Sequence, residues 1–158
     1  MIYEHYQCII AAPGFNLGVR CNEESLLAIE FLQPGQELPA ENAIAHVVER
    51  QLRAYLTAPG SGFDLPLAKL GTDFQRRVWQ RIATIPLGQT ISYGQLARDI
   101  RSAPRAVGQA CGANYFPLLI PCHRVVAATG LGGFDRAGGG FLLEVKKWLL
   151  RHEGIDRY

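Results

Sequence analysis

Cys122 and His123 are the residues of this chain best suited to covalent chemistry. They stand side by side in the run Pro117-Leu118-Leu119-Ile120-Pro121-Cys122-His123-Arg124-Val125. A cysteine attacks as its thiolate, and a nearby base or cation promotes that form. His123 can accept a proton, and Arg124 adds positive charge. The apolar run ahead of the cysteine is expected to bury the segment, and Pro121 fixes the backbone entering Cys122. A thiol is thereby held in one place. An isolated Cys-His pair is more often an inert buried thiol beside an unrelated histidine, so the surrounding elements decide.

Helices are predicted on both sides of this segment. Thr72-Asp73-Phe74-Gln75 has capping-box spacing and opens a helix to about Ile85, with Phe74, Val78, Ile82 and Ile85 on its apolar face. Ser92-Tyr93-Gly94-Gln95 repeats that spacing and starts a short helix through Ile100. A turn around Ser102-Ala103-Pro104 leads to a second helix over residues 105–113. Helix, short turn, helix is the helix-turn-helix pattern. Ala106, Gly108, Ala110, Gly112 and Ala113 keep the second helix slim enough to approach a groove, although helix–helix packing uses small residues equally well. A last helix is expected over residues 141–153, with Leu142, Val145, Trp148 and Leu149 inward. The glycine-rich residues 135–140 ahead of it read as a flexible loop.

The first part of the chain reads differently. Strands are predicted over residues 6–12, 15–20 and 25–32, the first two separated by the turn signal Pro13-Gly14. Residues 41–56 switch to helical spacing, with Ile44, Val47, Val48, Leu52 and Leu56 on one side. The expected class is α+β. A small β-sheet with a helix occupies residues 1–71 as a scaffold domain. A mainly helical domain of winged-helix or helix-turn-helix type occupies residues 72–158 and carries the cysteine.

Composition narrows the setting. The chain has 158 residues, of which 48% are apolar and 19% charged, which supports a packed core and argues against disorder. No basic leader with an apolar core opens the chain, and no stretch reaches the length of a membrane span, so a cytoplasmic protein is expected. Four cysteines without a CxxC pair suggest reduced thiols. Cys8 and Cys21 with His5 or His46 match no common zinc spacing, so no metal is expected. The net charge of +2 hides an asymmetry. Residues 1–71 carry four Lys and Arg against eight Asp and Glu, and residues 72–158 carry twelve against six. Such a split suggests that the C-terminal part meets a polyanion.

Taken together, the ordered motifs resemble the O6-alkylguanine-DNA alkyltransferases, the methylated-DNA–protein-cysteine methyltransferase family. The resemblance spans residues 72–155. It rests on Phe74-Gln75-Arg76-Arg77-Val78-Trp79, Ile85 to Gly94, Arg105-Ala106-Val107-Gly108, Asn114, Ile120 to Val126 and Lys147 to Gly154. It implies direct-reversal repair, in which a damaged guanine is flipped out of duplex DNA and its alkyl group passes irreversibly to Cys122. Reaching a substituent inside a stacked duplex requires such extrusion.

By the same resemblance, His123 is the base acting through a water, and Glu153 orients it. Asn114 braces the turn between the second helix and the cysteine segment. Tyr93 contacts the target nucleotide and lines the pocket. Arg105 fills the gap left by the flipped base, with Ala106 and Gly108 against the minor groove. Pro117, Val125 and Phe134 line the pocket, and Val125 reads the guanine edge through its backbone. The family's Gly-aromatic-x-Gly-Gly stretch is altered here. Gly133-Phe134 arrives one residue early, before a longer loop, which leaves open whether Phe134, Asp135 or Arg136 faces the base. Activity on O4-alkylthymine is also left open. Cys111, on the second helix, is expected near the DNA as a spectator. The implied partner is double-stranded DNA containing O6-alkylguanine, with no cofactor and no obligate protein partner. A non-catalytic lesion-binding relative is the alternative, but such relatives usually lack the cysteine.

Overall fold

A computed structural model describes residues 5–133 and 140–158. Phe134, Asp135 and Arg136 therefore lie outside the described residues. The chain divides into two compact units, Met1–Lys69 and Leu70–Tyr158.

In the first unit, β1 (Cys8–Ala12), β2 (Phe15–Cys21) and β3 (Leu26–Leu32) form an antiparallel sheet with β2 in the middle. Pro13-Gly14 makes the β1–β2 turn, and the register pairs Ala12 with Phe15 and Cys8 with Val19. Six of the seven residues of β2 are buried, as expected of a central strand covered on both faces. Helix α1 (Ala43–Thr57) starts at Asn42, whose side chain accepts from the Ala45 amide at 2.9 Å. Its buried face is Ala45, Val48, Leu52 and Tyr55. Val48 and Leu52 of the expected face are buried, whereas Ile44, Val47 and Leu56 are only half-buried and Ala45 and Tyr55 complete the buried side.

The second unit begins with α2 (Asp73–Ile82), closed by the predicted capping box between Thr72 and Gln75. The helix stops at Ile82, but Ile85 is still buried against it from the following turn. A two-residue strand β4 (Ile91–Ser92) leads into α3 (Tyr93–Asp99), with Ser92 as N-cap accepting from the Gln95 amide. Helix α4 (Pro104–Gly112) starts with proline in its first turn, where a missing N–H is tolerated. Trp79 and Leu96, from α2 and α3, share one core with Val107, Ala110 and Cys111 of α4. The Trp79 indole N–H donates to the Ala110 carbonyl at 2.8 Å. That bond fixes the helix-turn-helix pair on α2.

The cysteine segment then forms a 3-10 turn, Cys122–Arg124, followed by β5 (Val125–Val126), which pairs in parallel with β4. Helix α5 (Phe141–His152) closes the unit, burying Val145, Lys146, Leu149 and Leu150. Leu142 and Trp148, expected inward, are only half-buried. Among the described residues, no helix is long and apolar enough to cross a membrane, and no group of three or more His, Cys, Asp or Glu could hold a metal ion.

Candidate active site

Cys122 is placed by hydrogen bonds on the chain just before it. The Cys122 amide donates to the Ile120 carbonyl at 2.7 Å, and the Asn114 side-chain amide donates to the same oxygen at 2.8 Å. The Asn114 side-chain oxygen accepts from the Phe116 amide at 2.9 Å. One asparagine thus ties the end of α4 to the turn that presents the thiol. Within that turn Leu118 has φ 77°, a left-handed conformation that a branched side chain adopts at a cost of about 1–2 kcal/mol. Leu118 is nevertheless buried, as is Pro117 before it. Burial of the leucine offsets the strain. The run that was expected to bury the segment does so through Leu118, with Leu119 and Ile120 half-buried.

His123 and Glu153 are both buried and lie 2.8 Å apart through Nε2 and Oε2. The carboxylate accepts, so Nε2 carries the hydrogen and the neutral ring keeps its lone pair on Nδ1. That Nδ1 is buried and has no hydrogen-bond partner among the described residues. Burial lowers the His123 pKa from its usual value, opposed by the bond to Glu153. The imidazole is therefore neutral at physiological pH and able to take a proton.

Arg124 differs from its expected part. Its Nε donates to Glu153 Oε1 at 2.7 Å, its Nη2 to Oε2 at 3.1 Å and its Nη1 to the Ile85 carbonyl at 2.7 Å. The guanidinium is held by Glu153 and the Ile85 carbonyl. A carboxylate just past the end of a helix is otherwise disfavoured by the helix dipole. Here the two-pronged arginine contact compensates it.

Lys146 was not anticipated. It is fully buried, and Nζ donates to three carbonyls: Val125 at 2.8 Å, Leu131 at 2.9 Å and Gly133 at 2.7 Å. Burial pushes its pKa down to about 8, with the thiols of Cys122 and Cys111 opposing the shift. The Tyr93 hydroxyl donates to the Gly133 carbonyl as well, at 3.3 Å, and burial raises its pKa above the usual tyrosine value. Gly132, at φ +75°, packs against Tyr93 and Ala127. A Cβ there would lie 3.0 Å from the Ala127 nitrogen and 3.2 Å from the Tyr93 ring. Lysine and tyrosine together pin the chain that enters the stretch containing Phe134. The Val125 carbonyl, expected to meet the guanine edge, already accepts from Lys146 and keeps one further lone pair.

The helix-turn-helix residues are less enclosed. Arg105 is exposed, in the first turn of α4, and Ala106 and Gly108 are half-buried. A Cβ on Gly108 would meet nothing within 4 Å, so this face of α4 is open. Cys111 is turned into the core. It is 7% exposed and packed in the core, and burial raises its thiol to about 12. Burial withdraws Cys111 from solvent, in keeping with a spectator thiol.

This combination of a helix-turn-helix with a buried Cys-His-Glu constellation defines a class, and comparison with known proteins identifies it. The family described as 6-O-methylguanine DNA methyltransferase, DNA binding domain, matches residues 73–155. The methylated-DNA–protein-cysteine methyltransferase of Shigella flexneri is 38% identical, covering 92% of this chain and 93% of its own. A Thermus thermophilus relative named DNA base-flipping protein is 42% identical over 87% of this chain and 95% of its own. The crystal structure of Mycobacterium tuberculosis O6-methylguanine methyltransferase matches with a TM-score of 0.78 at 35% identity, covering 94% of this chain and 92% of that one. A structure of the Mycobacterium tuberculosis protein in complex with DNA matches at 0.75 and 34% identity, covering 92% and 90%. The chain belongs to the O6-methylguanine-DNA methyltransferase family.

Proposed function

We propose that this chain repairs O6-alkylguanine in double-stranded DNA by moving the alkyl group irreversibly onto Cys122. One observation carries the assignment of roles: the Arg124–Glu153–His123 chain leaves Nδ1, on the residue next to the thiol, buried and without a partner among the described residues. Side chains of adjacent residues point apart, so a water is the natural bridge from Sγ to Nδ1. His123 takes the thiol proton through that water, and Glu153 steadies the imidazolium that forms. The thiolate attacks the alkyl carbon. An S–C bond forms as the C–O6 bond breaks, and the electron pair passes to the guanine. The thioether has no route back to thiolate, so each molecule acts once.

Asn114 positions the cysteine turn. Tyr93, Pro117 and Val125 wall the pocket, and Arg105 occupies the place of the flipped base from the minor groove, with Ala106 and Gly108 allowing close approach. Residues 1–71 serve as the scaffold, and residues 72–158 bind DNA and accept the alkyl group. The base-flipping relative raises a second reading, lesion binding without transfer. Retention of Cys122, His123 and Glu153 supports transfer.

Titration of the protein with duplex containing O6-methylguanine tests the proposal. Repair should stop at one lesion per molecule. Continued turnover contradicts a consumed acceptor, and lesion binding without repair favours the second reading.

A further inference from the structure

The turn between α3 and α4 contains a residue that its backbone does not favour. Arg101 has φ 58°, in the left-handed region. The hydrogen bonds around it explain why the chain needs that conformation. The Ser102 amide donates to the Ala97 carbonyl at 2.8 Å, and the Arg101 amide to the Arg98 carbonyl at 3.2 Å. This is the double closure of a Schellman motif, in which the left-handed position is normally glycine. Glycine would satisfy the same bonds without strain between Cβ and the backbone. An arginine here is therefore not explained by the turn.

Its side chain is not explained by the fold either. Arg101 is exposed and makes no side-chain hydrogen bond, ion pair or ring contact with any described residue. The charges around it are already committed. Asp99 accepts from Arg81 Nη2 at 2.7 Å and from the Gln95 side chain at 2.7 Å, and Arg98 donates to the Gln95 oxygen at 2.9 Å. The carboxylate in its neighbourhood is engaged elsewhere. Arg105, four residues on in the first turn of α4, is the other exposed arginine of this region without a described partner. Two uncompensated guanidinium groups thus bracket the amino end of the second helix.

In a helix-turn-helix the second helix enters the groove and the preceding segments lie over the sugar-phosphate backbone. We infer that Arg101 is a DNA phosphate contact, holding the strand at the mouth of the groove that α4 enters. The inference rests on the proposed function and adds to it a residue that positions the duplex without touching the reacting atoms. A guanidinium presents two parallel N–H donors to two phosphate oxygens, which suits a fixed register better than an ammonium. The strained backbone then has a purpose, since a glycine would close the turn and leave the phosphate unbound.

Arg101→Gly separates the two roles of the position. Affinity for a short undamaged duplex should be measured against salt concentration for the wild type, Arg101→Gly and Arg101→Lys, with the Tm of each. The expected result for Arg101→Gly is about tenfold weaker binding at about 50 mM salt and a log–log slope shallower by about 0.9, the loss of one phosphate contact. Its Tm should be unchanged or higher by up to about 3 °C, because strain is removed. Arg101→Lys should keep the wild-type slope. An Arg101→Gly protein with the wild-type slope overturns the inference, and so does a fall in Tm that parallels the fall in affinity. A wild-type chain with no salt-dependent binding to duplex overturns the proposed function along with it.

Discussion

The two units treat ionisable side chains in opposite ways. In the first, the described ion pairs lie at or near the surface: Arg20–Glu30, His5–Glu41, and Arg53 with Glu37 and Glu49. Among the described residues, the polar side chain it buries is neutral Asn16, which donates to the Gly35 carbonyl at 3.0 Å. The second unit buries His123, Lys146 and Glu153. Removing charges from water costs several kcal/mol per ion, and a buried pair seldom repays it in full. A fold selected for stability alone would be expected to look like the first unit. On the proposed function, the second accepts the cost because alkyl transfer needs a dry, oriented base beside a thiol.

Breaking the buried network should produce the largest effect. Glu153→Ala removes the shared partner of His123 and Arg124 and should destabilise the fold by about 3–5 kcal/mol in urea denaturation. Glu153→Gln keeps the volume and one acceptor. It should lose less stability while alkyl transfer still slows. A loss under about 1 kcal/mol for the alanine variant would remove the contrast between the units.

Lys146 gives the next effect, visible in pH dependence. Its folded pKa is about 8 against an ordinary value of 10.5. Across that window the unfolded chain holds a proton that the folded chain has released. Stability of the wild type should therefore rise with pH from about 8 to 10.5, by up to about 1.4 kcal/mol per unit relative to Lys146→Met. Denaturant melts at a series of pH values check this, and parallel curves would contradict a buried, strained ammonium. The smallest effect is expected in the first unit. Arg53→Ala breaks exposed pairs and should change stability by less than about 1 kcal/mol, with alkyl transfer unaltered.

The sequence made some of this legible and hid the rest for physical reasons. Capping residues act within one turn of chain, so Thr72 with Gln75 and Ser92 with Gln95 located two helix starts without any tertiary knowledge. Burial on a helix depends on what packs against it, which explains why Ile44, Val47 and Leu56 of α1 and Leu142 and Trp148 of α5 are only half-buried. Lys146 is hard to read as buried, because lysine side chains usually face solvent. Its place beside Val145, and three residues before Leu149, was the available signal, since that spacing is the apolar stripe of α5. The partner of Arg124 could not be read locally, because Glu153 is 29 residues away and the two meet only in the fold. Arg101 carried no signal at all, as its backbone conformation is invisible in the sequence.

The central claim is that Cys122 accepts the alkyl group, and mass spectrometry tests it most directly. The protein should be incubated with excess duplex containing O6-methylguanine, alongside Cys122→Ser, and both the intact chain and its peptides weighed. The account predicts a single methyl increment on the Cys122 peptide and none in the variant. An unmodified chain, or a methyl group carried on Cys111 or any other residue, would contradict it.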